Sequence, residues 1–142
     1  MNTIFKTTTS FYTLTPRRKW LVLLAASLSL YGWLAMRFFK QYARFEGVNR
    51  QSKVTDKQLI ADIRWAIFVV NKSVWWPNVC RHQAYQAKLL CRFYDVRYQI
   101  FVGFKKNEDG KIDGHAWAMA GGEIITGFCD PQQYTIQNIY EG

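Results

Sequence analysis

Cys80 is the residue whose type and setting best suit nucleophilic chemistry. It follows Trp75-Trp76-Pro77, which breaks the preceding element, and Asn78, a residue type that often caps helices. Cys80 therefore falls in the first turn of a helix predicted from Val79 to about Arg92. Amide groups at a helix N-terminus stabilise a thiolate, the form of cysteine that attacks a carbonyl. The competing interpretation is a buried, unreactive thiol.

A general base for Cys80 has two candidates, because the chain has two histidines. His115 opens the motif His115-Ala116-Trp117 on a predicted strand, from which its imidazole can meet the helix terminus. His82 lies two residues after Cys80 on the same helix and is turned about 200° away, since residues three or four apart share a face. We expect His115 to be the base and His82 to have a surface or packing role.

A third residue should orient the imidazole and stabilise its charged form, so an acid near His115 is required. Gly121-Gly122 predicts a two-residue turn between strands, because glycine adopts the positive φ angles of such turns. In the hairpin that this turn defines, residue 120 pairs with residue 123. His115 then pairs with Phe128.

This register selects Asp130 as the third residue. Side chains alternate between the faces of a sheet, so Asp130 projects from the face of His115 and lies diagonal to it. Glu123 projects from the opposite face and is the alternative. A shift of one residue in register reverses this choice, and Asp130 also suits a turn before Pro131.

Acyl transfer also needs donors that stabilise the oxyanion close to the nucleophile. The backbone amide of Cys80 is one candidate and the side-chain amide of Gln83 is a second. The indoles of Trp75 and Trp76 are further candidates, although packing is the role we expect for these side chains.

The elements that must position these groups fit one α+β domain, with helices first and a small antiparallel sheet of three strands after them. At 142 residues the chain has room for a single core. We expect a flexible N-terminus over 1–15, a basic apolar helix with its linker over 16–54, and a transglutaminase-like or papain-like catalytic core over 55–142.

The predicted boundaries come from capping residues and hydrophobic periodicity. Pro16 can open a first helix that runs to about Arg44, followed by a polar linker from Gly47 to Lys53. Thr55 and Gln58 have the spacing of a capping box for the second helix. Its apolar face recurs at helical spacing and consists of Leu59, Ile63, Ala66, Ile67 and Val70. A strand over Val96–Phe104 precedes a charged loop over Lys105–Gly114.

The positive charge is concentrated at one end of the chain. Residues 1–55 contain nine Lys/Arg against Glu46 alone, a net +8, out of a total of +9. Trp20–Met36 is uncharged and flanked by basic residues, but seventeen residues is at the lower limit for crossing a bilayer. We interpret the segment as a buried or interfacial helix, so residues 17–44 are a candidate for peripheral membrane contact. Nucleic-acid binding is disfavoured because no reading motif is present.

Three cysteines without framework spacing favour a reducing cytoplasm over a disulfide-bonded secreted domain. The two histidines lie far from any ligand-spaced cluster. We expect no metal site and no other cofactor.

Several motifs together resemble one enzyme family. They are Asn78-Val-Cys-Arg-His-Gln-Ala84 on a helix, the Val96–Phe104 strand, Gly114-His-Ala-Trp117, and Gly122-Glu-Ile-Ile-Thr-Gly127. They look like the transglutaminase-like leader peptidases of lasso-peptide biosynthesis, in the short form without a fused leader-recognition domain. The resemblance covers roughly residues 16–130 and includes the basic apolar helix.

The resemblance implies a triad of Cys80, His115 and a nearby Asp that cuts the leader from a ribosomally made precursor. It also implies a separate leader-recognition protein and an asparagine-synthetase-like cyclase that receives the freed amine. This chain departs from the family where relatives often carry an Asp and it reads Gly121-Gly122-Glu123.

Two other hypotheses remain open at this point. A transglutaminase-like acyltransferase or amidase would use the same thioester, because water and amines compete for it. A non-catalytic, membrane-associated scaffold would use the basic helix alone.

Overall fold

The computed structural model describes residues 12–39 and 56–142. Within these two ranges, three helices precede a four-stranded antiparallel sheet, so the α+β prediction is confirmed. The predicted linker over Gly47–Lys53, the boundary near residue 54 and the end of the first helix near Arg44 lie outside the described residues.

Helix α1 spans Pro16–Phe38 and begins as predicted with proline in its first turn. Thr15 caps it by accepting a hydrogen bond from the backbone amide of Arg18 at 3.4 Å. The helix packs against the other two helices through a narrow buried stripe of mostly small residues, which are Leu21, Ala25, Ser29, Gly32 and Ala35.

Helix α2 spans Lys57–Ser73, and its predicted apolar face is buried in the core. Thr55 of the predicted Thr55–Gln58 box lies outside the described residues. Asp56 is the N-cap and accepts from the amides of Gln58 and Leu59. The Gln58 side chain instead donates to Asp62 at 3.2 Å.

Helix α3 spans Cys80–Phe93, close to the prediction, but Asn78 is not its cap. Val79 occupies the cap position, and its amide donates to Nδ1 of His82 at 3.3 Å. Asn78 donates its side-chain amide to Asn71 at the end of α2 instead. A contact with a residue seven positions earlier therefore overrides the local capping preference.

The sheet has the order β3-β2-β1-β4, with β1 at Tyr98–Lys106, β2 at Ile112–Ala120, β3 at Glu123–Thr126 and β4 at Thr135–Glu141. The predicted three-stranded sheet was one strand short, because β4 was missed. The loop between β1 and β2 is also shorter than predicted, since both strands extend into 105–114.

The Gly121-Gly122 turn is present, and both glycines have positive φ angles of 59° and 81°. Ala120 pairs with Glu123 as predicted. An irregularity then shifts the register by one, so that Ala118 pairs with Thr126 and Ile125 is the extra residue. The predicted pairing of His115 with Phe128 is therefore wrong, since β3 ends at Thr126.

The core lies between the helices and one face of the sheet. Alternate residues of β2, from Ala116 to Ala120, and Ile100 of β1 are buried in it. Because β4 pairs with β1 at the far edge, the segment 127–134 must pass from the β3 edge across the sheet. Gly127 lies against Trp117 and Tyr134 lies against His115, so this segment crosses at the face away from the helices.

Candidate active site

Cys80 is the first residue of α3 and is half-buried. The backbone amides of a helix's first turn have no partners within the helix. Those of α3 begin at Cys80, so this thiol stands where a helix terminus favours an anion. The amide of Cys80 is also close to its own sulfur, as a donor to an oxyanion must be.

Gln83 ties the start of α3 to its surroundings through both ends of its side chain. Its Nε2 donates to the carbonyl of Asn78 at 2.9 Å, and its Oε1 accepts from the hydroxyl of buried Thr126 at 3.0 Å. Since its amide is engaged by Asn78, Gln83 holds the loop before Cys80 against β3. No local pattern indicates this connection, because Gln83 and Thr126 are distant along the chain.

The other predicted donors, the two indoles, are engaged in packing. Trp76 donates to the hydroxyl of Ser29 in α1 at 3.1 Å. Trp75 packs edge to face against Trp33 of α1, with ring centroids 6.2 Å apart.

His115 is held by groups on three sides. Its Nε2 lies 2.9 Å from the carbonyl oxygen of Gly127. Tyr134 stacks on the ring at a centroid distance of 5.4 Å, and Trp117 stacks at 6.2 Å. These contacts restrict both the position and the rotation of the imidazole.

Gly103 makes room for this arrangement. It pairs directly with His115 across β1 and β2. A Cβ at position 103 would lie 2.9 Å from the Thr135 carbonyl and 3.4 Å from the Tyr134 side chain. The absence of a side chain at Gly103 therefore lets Tyr134 pack onto the imidazole.

Cys80 and His115 line the same cavity of about 460 Å³. The strand residues on its walls include Val102, Gly114 and Ala116. Its lining is mainly apolar, with Arg81 and Gln137 as polar members. Both residues border this space, which is large enough for part of a peptide.

Cys80 belongs to the helical layer and His115 to the sheet. Ala116 faces the helices, so the side chain of His115 begins on the other face of β2. Within 12–39 and 56–142, no hydrogen bond joins the Cys80 sulfur to the His115 ring. Hydrogen bonds at catalytic sites often tighten only when substrate is bound.

Asp130 and Glu123 both have partners other than His115. The carboxylate of Asp130 caps a short 3₁₀ turn by accepting from the Gln132 amide at 3.1 Å and from Gln133 Nε2 at 3.2 Å. Glu123 pairs with Arg64 at 3.4 Å on the surface. The imidazole is hydrogen-bonded instead to the backbone carbonyl oxygen of Gly127. Side-chain patterns in the sequence do not reveal a backbone partner of this kind.

The remaining cysteines differ from Cys80 in their surroundings. Burial raises the pKa of Cys91 to about 12, so this thiol is unreactive in the folded protein. Burial, followed by the charge of Asp130, raises the pKa of Cys129, while Lys105 opposes this shift. In the described part of the chain, no group of three or more His, Cys, Asp or Glu side chains is placed to hold a metal ion.

Comparison with known proteins identifies the family of this chain. No curated protein and no solved structure matches the chain. The Transglutaminase-like superfamily matches residues 20–138, which include most of α1, all of α2 and α3, and most of the sheet. This match covers most of the chain and contains both Cys80 and His115, so the protein belongs to the transglutaminase-like superfamily.

Proposed function

We propose that this protein is a cysteine peptidase that removes the leader from a ribosomally synthesised lasso-peptide precursor before macrolactam formation. The observation that carries the catalytic part is that Cys80 begins α3 and shares one cavity with His115. Family membership supports cysteine-based acyl chemistry. The motifs around both residues support the choice of precursor.

In the proposed reaction, the Cys80 thiolate attacks the carbonyl at the end of the leader. The Cys80 amide stabilises the oxyanion, and His115 protonates the departing amine of the core peptide. Water then hydrolyses the thioester, with His115 taking its proton. Asp130 is our sequence-based candidate for orienting His115, with Glu123 as the alternative.

Closure of the site is part of this proposal. A peptide in the cavity contacts both the α3 terminus and the end of β2. For proton transfer, the imidazole must leave its contacts with Tyr134 and the Gly127 carbonyl and turn to the helix-facing side of β2, where the sulfur lies. The leader itself is held by a separate leader-recognition protein, and an asparagine-synthetase-like cyclase receives the freed core. These partners place the reaction in the cytoplasm.

Cleavage of a precursor encoded beside this chain, with its leader-recognition protein present, tests the function. Product masses should correspond to free leader and free core. Cys80→Ala and His115→Ala should each reduce the rate by about 10³-fold or more while the fold is retained. Leader removal by Cys80→Ala at the parent rate would refute the proposal, whereas an amine adduct on the leader would identify an acyltransferase.

Alkylation tests the pairing of Cys80 with His115 without a cleavage assay. Iodoacetamide should modify Cys80 before Cys129, and Cys91 only after unfolding, as read by peptide mass mapping. 1,3-Dibromoacetone alkylates a thiol and then a nearby imidazole, so it should join Cys80 to His115. Absence of this cross-link in the peptide-bound protein would contradict closure, and His115→Ala is the matched control.

A further inference from the structure

Helix α1 is apolar on two opposite faces. One face is buried against α2 and α3, while the other carries exposed large side chains, namely Trp20, Leu23, Leu30, Tyr31 and Phe38. We call these five residues the docking face. They follow helical spacing and form one stripe along the solvent side of α1.

The docking face is unusual for a protein surface. Trp20, Leu23 and Tyr31 are each more than half exposed, at 56%, 55% and 53%. Exposed apolar side chains that recur on one side of a helix over several turns mark an interaction site rather than ordinary surface. One exposed polar residue, Ser27, lies between Leu23 and Leu30, and its hydroxyl donates to the Leu23 carbonyl. Trp75 extends the patch beside the C-terminal half of α1, where it packs on Trp33 and is 82% exposed.

Positive charge borders this stripe. Lys19 and Arg37 are 18 residues apart, which is five turns of helix, so they lie on one side of the stripe at its two ends. Residues 1–55 carry a net +8. An apolar face with tryptophan and tyrosine, bordered by cations, fits the interface of an anionic bilayer.

Length and composition alone also allow α1 to cross a membrane. Its buried face favours a different arrangement, because polar groups tie it to the rest of the domain. Gln86 donates to the Ala25 carbonyl at 2.8 Å, Trp76 donates to Ser29 at 3.1 Å, and Arg18 contacts Asp62 at 3.1 Å.

Asp62 and Gln86 are both buried. Withdrawal of α1 into a bilayer would leave their polar atoms without these partners, which is costly. The helix therefore remains part of the domain.

We propose that α1 lies in the plane of an anionic lipid bilayer, with its docking face in the interface and its opposite face still packed on the domain. The protein is then a peripheral membrane protein whose contact is both apolar and electrostatic. Trp75 lies five residues before Cys80, so this contact also brings the approach to the cavity near the membrane surface.

Vesicle sedimentation of the full chain tests the proposal. Binding to vesicles of phosphatidylglycerol and phosphatidylcholine should exceed binding to phosphatidylcholine alone. It should also weaken as salt rises from about 0.1 M to about 1 M, because the screening length falls from about 10 Å to about 3 Å. Equal binding to both vesicles, or no binding, would overturn the proposal.

Leu23→Glu should lower affinity for anionic vesicles by about tenfold or more, because it places a carboxylate in the interface. Ile139→Glu is the matched control, since Ile139 is similarly exposed, at 50%, on β4; it should bind as the parent does. The double variant Lys19→Glu with Arg37→Glu tests how much these two charges contribute to vesicle affinity, because it leaves the apolar stripe unaltered. Circular dichroism and thermal midpoints verify folding.

Extraction separates in-plane docking from spanning. High salt or alkaline carbonate should release the protein from cell membranes. A requirement for detergent would contradict the in-plane arrangement. Equal losses of vesicle binding in Leu23→Glu and Ile139→Glu would show that the docking face is not the contact.

Discussion

The Nε2 atom of His115 and the carbonyl oxygen of Gly127 lie 2.9 Å apart. A carbonyl only accepts, so this contact places a proton on Nε2 and leaves Nδ1 able to accept one. In this tautomer, Nδ1 is the ring atom that can accept a proton. The contact therefore fixes the orientation and tautomer of the ring, and a neutral carbonyl stabilises an imidazolium less than a carboxylate does.

Gly127→Ala should lower activity much more than an equivalent change elsewhere. Gly127 has φ 72°, and a Cβ there would lie 2.3 Å from the Ala116 carbonyl, so the backbone must move and the hydrogen bond to His115 is disturbed. Gly122→Ala is the control, because it has φ 81° but nothing within 4 Å. Both changes incur about 1–2 kcal/mol of backbone strain.

We expect Gly127→Ala to reduce kcat by about tenfold or more, on the scale of about 1.4 kcal/mol for each factor of ten. Gly122→Ala should lower the thermal midpoint and leave kcat close to the parent value. Equal kcat values in the folded Gly127→Ala and Gly122→Ala variants would show that Gly127 has no role in the active site.

Asp130→Ala should cost stability more than activity. Its carboxylate caps the 3₁₀ turn, and loss of a cap typically costs about 1 kcal/mol. Asp130→Asn keeps an acceptor and should restore stability. If Asp130→Asn is nearly as inactive as His115→Ala, a charged third residue is required and Asp130 supplies it. Glu123→Ala removes only an exposed ion pair, for which we expect little change.

Gly114→Leu should block the cavity while leaving the fold intact. A Cβ at Gly114 would meet nothing within 4 Å, and the residue lines the cavity with Cys80 and His115. Glycine within a strand costs about 0.5–1 kcal/mol relative to alanine, so both Gly114→Ala and Gly114→Leu should raise the thermal midpoint.

The leucine variant alone should lose about tenfold or more in kcat/KM, because its side chain occupies the space of a substrate residue. Cleavage assays and thermal melts on the same samples check both effects. Parent-like cleavage by a stabilised Gly114→Leu protein would place the substrate elsewhere.

The stability of the protein should fall as pH drops below 6.5, and His82 should contribute to this. Burial, followed by the charge of Arg81, lowers the pKa of His82 from 6.5. The unfolded chain therefore binds its proton at higher pH than the folded chain does, so acid favours unfolding. Protonation also removes the acceptor of the Val79 amide at the start of α3.

Denaturant unfolding between pH 5 and pH 8 measures this effect. The free energy of unfolding should rise with pH through the region near 6.5, and His82→Gln should flatten that rise. An unchanged slope in His82→Gln would assign the pH dependence to other groups.

Local chemistry predicted the helices and turns well. Pro16 opens α1, Cys80 begins α3, and Gly121-Gly122 forms the turn, because each depends on backbone preferences of a few adjacent residues. The buried face of α2 followed from its period of 3.6 residues. These features required no knowledge of distant contacts.

Features set by irregular pairing were not predictable in this way. In β4, Ile136 and Ile139 are three residues apart in the sequence, and the register shift beside Gln137 accommodates this spacing. The sequence here therefore lacks the alternation that identifies a strand. The shift at Ile125 in β3 moved the register by one, which the count along the hairpin from Gly121-Gly122 did not include. Both are one-residue insertions whose positions depend on tertiary packing.

The route of the chain between β3 and β4 ties the imidazole to both edges of the sheet. Strand β4 pairs with β1 rather than with its predecessor, so segment 127–134 runs between the two edges. Gly127 and Tyr134, which hold the imidazole, bracket that segment. The position of His115 therefore depends on both edge strands, and a change that loosens either one should also loosen the ring.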